Sequence, residues 1–146
     1  MAVFDDIRFL LGKKKPHHTD KSHEPAKKIL IVEDESVLQE MYKDKFKHEG
    51  FEVFTAENGE VGLEKATTNK PDIILLDLMM PVMDGKTMLR KLRLLPHFKS
   101  LPVIVLTNNG AVENIKETQH FDNACEFLIK SNVSIDEIVR KVKFWL

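Results

Sequence analysis

Short apolar runs alternate with longer amphipathic stretches along most of this chain. The runs cover residues 29–32, 51–55, 73–76, 103–106 and 126–129. Between and after them, apolar residues recur at helical spacing over 36–48, 59–68, 86–94, 112–120 and 134–146. Three of the runs (29–32, 73–76 and 103–106) are apolar at every position, as strands covered on both faces of a parallel sheet must be. The run 51–55 carries Glu52 and is expected at a sheet edge. Asn58-Gly59, Asn69-Lys70-Pro71 and Asn108-Asn109-Gly110 fall between elements, where turn residues belong. Five β-α units in succession predict an α/β fold, a doubly wound parallel sheet with helices on both faces.

Residues 1–26 break the pattern. Val3, Phe4, Ile7, Leu10 and Leu11 form one stripe of a short predicted helix over 2–11, and residues 13–26 read as a solvated linker rich in Lys, His, Pro, Ser and Thr. The folded domain is therefore expected over 27–146, preceded by a tail. That stripe, followed by Lys13, Lys14 and Lys15, reads equally as an interfacial membrane helix or docking motif and as a segment that is disordered or packed on its own domain, since three turns are marginal in water. His17, His18 and His23 lack the cysteines or helical spacing of a metal site and belong to the linker.

With 146 residues, one domain is the economical reading. A net charge of −1 offers no electrostatic footprint for nucleic acid, so direct nucleic-acid binding is not expected. The single cysteine, Cys125, excludes an internal disulfide and suits a reducing, cytoplasmic location. No apolar run approaches the length of a membrane span.

The chemistry stands at the carboxyl ends of the apolar runs. The first ends in Glu33-Asp34, the third in Asp77, the fourth in Thr107 and the fifth in Lys130. Open parallel sheets bind ligands beyond those ends, where strand order reverses. In the order 2-1-3-4-5, strands one and three are neighbours, and Glu33, Asp34 and Asp77 form a cluster of three carboxylates. The charged edge strand contributes nothing to it. Like charges at close range raise one another's pKa, and a divalent cation removes the conflict. A few carboxylates with room for water and a phosphate oxygen suit Mg²⁺. Asp77 is then the candidate nucleophile for a phosphoryl group, with the ammonium of Lys130 and the hydroxyl of Thr107 available to its oxygens. Singly, each of these residues has an ordinary explanation, such as helix capping by Asp34. Their joint occurrence at four of five strand ends is what points to one site.

These residues resemble the receiver domains of two-component response regulators. The resemblance covers about 27–146 and is carried by Ile29-Leu30-Ile31-Val32-Glu33-Asp34-Glu35, by Leu75 to Gly85 around Asp77-Leu78-Met79-Met80-Pro81, by Val105-Leu106-Thr107 and by Phe127-Leu128-Ile129-Lys130. It implies a flavodoxin-like (βα)5 fold. It also implies Mg²⁺ held by Glu33, Asp34, Asp77 and the backbone carbonyl of Met79, phosphorylation of Asp77 by a histidine kinase or phosphotransfer protein, and phosphate contacts from Thr107 and Lys130. A switch is implied in which Thr107 and Phe127 move together and reshape the face built from the 112–120 helix, the fifth strand and the last helix. Such a domain catalyses only its own phosphorylation and dephosphorylation, and its output here is expected through binding another protein. Homodimerisation stays open, because Ile135, Ile138, Val139 and Val142 of the last helix are mostly required by the core. Three departures bear on loop geometry: Ser131 stands where the family has proline after a cis peptide, and Val82 and Asn123 stand where it has glycine. Aspartyl-nucleophile phosphatases need a second acid where Met79 stands, and flavin-mononucleotide binders need glycines or hydroxyls where Glu33-Asp34 stand.

Overall fold

The computed structural model describes residues 24–108 and 124–146. In chain order it contains β1 (Lys28–Val32), α1 (Ser36–His48), β2 (Glu52–Ala56), α2 (Gly59–Asn69), β3 (Ile73–Asp77), α3 (Gly85–Leu94), a 3-10 turn (Pro96–Phe98), β4 (Val103–Thr107), β5 (Cys125–Ile129), a second 3-10 turn (Lys130–Asn132) and α4 (Ile135–Trp145). The strands form one parallel sheet in the order β2-β1-β3-β4-β5, as the sequence pattern predicts. The predicted helix over 112–120, the predicted helix over 2–11, most of the linker, and Asn109, His120 and Asn123 lie outside the described residues.

Alternation along β1, β3 and β4 divides the core into two layers. Leu30, Val32, Ile74, Leu76, Val103 and Val105 pack with Ala66 of α2 and with Met88, Leu89 and Leu92 of α3. Ile29, Ile31, Ile73, Leu75, Ile104 and Leu106 pack with Tyr42 and Phe46 of α1 and with Ile138, Val139 and Val142 of α4. Both faces of these strands are dry, which is why their sequences are apolar throughout. Each fully buried aliphatic side chain contributes about 1.5–3 kcal/mol of transfer free energy.

Side-chain caps set the starts of α2, α3 and α4, whereas α1 has none. Asn58 Oδ1 accepts from Val61 N at 2.9 Å, Asp84 Oδ1 from Thr87 N at 2.7 Å and Ser134 Oγ from Glu137 N at 3.2 Å. The cap position of α1 is Glu35, so Asp34 is not the N-cap that its position before a helix would allow. β2 begins one residue later than the sequence suggests. Phe51 N instead donates to Phe46 O at 3.0 Å, and the two rings meet edge-on at 5.3 Å, closing the α1–β2 turn. His48 and His97 are exposed. Cys125 forms no disulfide, and its Sγ accepts from Arg93 Nη2 at 3.7 Å. Among the described residues, no helix is long and apolar enough to cross a membrane.

Candidate functional site

β1 and β3 are direct neighbours, with Val32 opposite Leu76, so the residues that follow them meet beyond the sheet edge. Glu33, Asp34 and Asp77 each present a carboxylate oxygen, and these three oxygens lie within 4.8 Å of one another. Glu33 is 1% and Asp77 5% exposed, whereas Asp34 is open to solvent. Asp34 borders a cleft of about 570 Å³ whose walls include Leu78, Met79, Pro81, Asp84 and Lys86. Oxygen-only donors, two buried and one exposed beside an open cleft, fit a hard cation that keeps part of its water shell.

Lys130 reaches this cluster from the end of β5. Its Nζ stands 2.9 Å from Glu33 Oε2 and 3.3 Å from Asp77 Oδ2. Burial pushes the Glu33 carboxyl up, the hydrogen bond from Lys130 draws it back, and the Asp77 charge adds to the rise; the net direction is upward. Asp77 is likewise raised, chiefly by burial, against the opposing pull of Lys130 and of the Met79 amide. Burial alone would lower the Lys130 ammonium, but its hydrogen bond to Glu33 and the charge of Asp77 outweigh that, and its pKa rises. One lysine thus shares its charge between two carboxylates that burial disfavours as anions.

The loop after Asp77 is tightly held. Met79 N donates to Asp77 Oδ1 at 3.3 Å, and Gly85 N donates to Leu78 O at 2.9 Å. A Cβ on Gly85 would fall 2.2 Å from Asp77 O, so only glycine lets α3 start directly beneath the aspartate. Val82 adopts φ +70°, the left-handed conformation that its family glycine would take without cost. No peptide bond among the described residues is cis, and Ser131 lies in the 3-10 turn Lys130–Asn132.

Thr107 ends β4, one residue past Leu106, which pairs with Asp77. It is buried, and its hydroxyl donates to Asn108 O at 3.4 Å. Phe127, opposite Val105 on the edge strand β5, is half-buried and packs against the α2–α3 layer.

All the residues singled out at the strand ends are therefore described, and Glu33, Asp34, Asp77 and Lys130 converge. Sequence reasoning missed Gln39, whose Nε2 donates to Glu33 O at 2.9 Å and to Ala56 O at 3.1 Å. No motif could have revealed it, because both acceptors are main-chain atoms. β2 supplies no carboxylate to the cluster, but Ala56 at its end accepts a main-chain hydrogen bond from Glu33 N at 3.0 Å.

Comparison with known proteins agrees with this geometry. Residues 29–143 match the response regulator receiver domain family. Sporulation initiation phosphotransferase F of Bacillus subtilis is 33% identical over 119 residues, covering 82% of this chain and 93% of that protein. The receiver domain of the Francisella response regulator 1452 is 31% identical with a TM-score of 0.71, over 82% of this chain and 95% of that one. The receiver domain of the sensor histidine kinase PA1611 from Pseudomonas aeruginosa, solved with a magnesium ion coordinated in its active-site cleft, is 27% identical with a TM-score of 0.73, over 83% and 98% of the two chains. On its fold, its strand-end carboxylates and this family match, the chain belongs to the response regulator receiver domains of two-component systems.

Proposed function

We propose that the chain is a Mg²⁺-dependent phosphoacceptor that takes a phosphoryl group on Asp77 from a histidine kinase or phosphotransfer protein and signals through a changed protein-binding surface. The carrying observation is the Asp77 carboxylate, buried at the end of β3, beside two further carboxylates and 3.3 Å from the Lys130 ammonium. A carboxylate so placed is shielded from bulk water and presents an oxygen to an incoming phosphorus. The Asp77 oxygen forms the new O–P bond as the P–N bond of a phosphohistidine breaks, and the departing imidazole keeps the bonding electron pair. Glu33, Asp34, Asp77 and the Met79 carbonyl are the residues that would hold Mg²⁺, which when bound neutralises charge on the transferring group. Lys130 gives a compact cation to a phosphoryl oxygen, and the Thr107 hydroxyl donates to another.

Output follows from the same residues. As Thr107 turns toward the phosphoryl group, the half-buried ring of Phe127 fills the space it leaves, a local event that biases a two-state packing element. The affected face comprises β5, α4 and the predicted helix over 112–120, and it would meet a downstream protein or a second copy of the chain. Phe144 on α4 is 81% exposed and supplies apolar area next to that face. A single cysteine, Cys125, held in no disulfide suits a cytoplasmic setting.

Intact-protein mass spectrometry after incubation with Mg²⁺ and a small acyl phosphate tests the assignment. One added phosphoryl group in the wild type and none in Asp77→Asn is the expected result. Labelling retained in a folded Asp77→Asn protein would overturn it.

A further inference from the structure

β2 carries none of the reacting groups, yet its C-terminal end and the start of α2 just after it are hydrogen-bonded to the two loops that do. On one side lies the acidic loop. Glu33 N donates to Ala56 O at 3.0 Å, and the two N–H groups of the Gln39 amide reach Glu33 O and Ala56 O at 2.9 and 3.1 Å. On the other side lies the nucleophile loop, where Gly59 N donates to Met83 O at 2.9 Å. A Cβ on Gly59 would lie 2.7 Å from Met83 O and 3.1 Å from Asp84 O, so the two segments are in direct main-chain contact. Asn58, between the two attachments, is buried and fixed by its cap to Val61 N.

Gln39 sits one turn into α1, and both hydrogen bonds of its amide N–H groups go to main-chain carbonyls. These belong to the peptide that joins Glu33 to Asp34 and to the neighbouring strand end. The Glu33 carbonyl lies in the peptide plane that holds the Cα atoms of both Glu33 and Asp34, so fixing that peptide restrains the points from which both acidic side chains project. Outer groups that orient ligands change metal affinity by about 10–100-fold without contacting the metal.

We propose that Gln39 is a positioning residue for the acidic pair: it clamps the Glu33–Asp34 peptide to the end of β2, with the β2–α2 segment as a strut against the Asp77 loop, and so sets the affinity of the site for a divalent cation. The inference rests on the phosphoacceptor reading and deepens it. Two substitutions separate the clamp from general packing. Gln39→Met keeps length and helix propensity but has no donor. Gln39→Asn keeps the amide but is one methylene too short to bridge both carbonyls.

The test is calorimetric titration of the full chain with MgCl₂, paired with the phosphorylation rate at saturating Mg²⁺ and with thermal melting without metal. Both variants are expected to bind Mg²⁺ about tenfold more weakly, with the saturated rate within about twofold of wild type, because no reacting group has been lost. Unchanged Mg²⁺ affinity in either folded variant overturns the clamp. So does a saturated rate that falls in step with affinity while the melting temperature drops, since that pattern marks general loosening. A wild-type protein that takes up no Mg²⁺ overturns the phosphoacceptor reading itself, and is distinguished from failure of the clamp by appearing without any substitution.

Discussion

The ammonium of Lys130 lies 3.3 Å from Asp77 Oδ2, at the same time as it donates to Glu33. Strands β3 and β5 are not neighbours; β4 separates them, and the long lysine side chain spans that gap from the end of the sheet. This arrangement gives the lysine two separable effects. Toward a cation, its positive charge competes for the same carboxylates. Toward a phosphoryl group, it supplies fixed positive charge where negative charge develops. Lys130→Met is therefore expected to slow Asp77 phosphorylation about 10²-fold or more while leaving Mg²⁺ affinity equal to or stronger than that of wild type. Stopped-flow phosphorylation with an acyl phosphate and calorimetric Mg²⁺ titration check the two halves separately. A variant with normal rate removes Lys130 from the phosphoryl site.

Raised carboxyl pKa values carry a definite sign for stability. Glu33 and Asp77 hold their protons to higher pH in the folded protein than in the unfolded chain, mainly through burial. Between the ordinary carboxylate range and the raised values the folded state binds more protons, so their contribution to stability is fully present at low pH and is lost as pH rises. Glu49 and Asp136, lowered by lysine partners, and Glu126, lowered against its burial by Lys141 and Trp145, have the opposite sign. The difference between wild type and Asp77→Asn isolates the site. In urea denaturation with a chelator present, Asp77→Asn is expected to gain stability relative to wild type as pH rises from 4 to 7. A difference that stays flat across this range contradicts the burial argument.

Mg²⁺ reverses that balance, because its ligands must be deprotonated. Saturation at 100 times Kd is expected to stabilise the wild type by about 2.7 kcal/mol at neutral pH, with the effect shrinking as pH falls. Asp77→Asn, which loses a ligand, is expected to gain less at the same Mg²⁺ concentration. Thermal melting with MgCl₂ against a matched CaCl₂ series measures this and reports the selectivity of the site. A melting temperature indifferent to Mg²⁺ would remove the metal from the proposed function.

The parts of this protein legible in its sequence are those where a residue's own character decides its place. Ile29–Val32, Ile73–Leu76 and Val103–Leu106 are apolar at every position because both sides of the sheet are covered, which marks those strands as interior. Glu33, Asp34, Asp77 and Lys130 were legible because they are charged residues at strand ends. Gln39 was not, since a glutamine that binds main-chain carbonyls looks like any surface amide. Nor did the sequence reveal that Lys130 bridges Glu33 and Asp77 rather than serving only a phosphate, a choice made by the depth of burial of all three. The one-residue shift of β2 arises from the Phe46–Phe51 contact, which pairs positions five apart in a turn and has no periodic signature.

The tail is a separate question, since residues 1–23 lie outside the described part and outside the family match. The apolar stripe Val3, Phe4, Ile7, Leu10 and Leu11, followed by three lysines, supports a docking or membrane-surface role for this segment. Deleting residues 1–25 is expected to leave Asp77 phosphorylation within about twofold of wild type and to abolish co-sedimentation with anionic vesicles or capture by a partner. Equal binding by the full and shortened chains would retire the role.

Val82 offers the last test, because it concerns strain and not chemistry. Its φ of +70° places a β-branched side chain in the left-handed region, which costs an L-residue about 1–2 kcal/mol. The side chain is 76% exposed, so truncating it forfeits little burial. The conformation is imposed from both sides: Met83 N donates to Pro81 O at 2.8 Å across Val82, and Met83 O accepts from Gly59 N. Val82→Gly removes the clash while enlarging the unfolded ensemble, and the two effects partly offset. A net gain of about 0.5–1 kcal/mol is expected in urea denaturation. Val82→Ala keeps a Cβ at the same φ and is expected to gain less than the glycine variant. Equal stability of the alanine and glycine variants would show that the loop relaxes elsewhere and stores no strain at Val82. A loss in both would mean that the exposed valine makes contacts worth more than the backbone conformation costs.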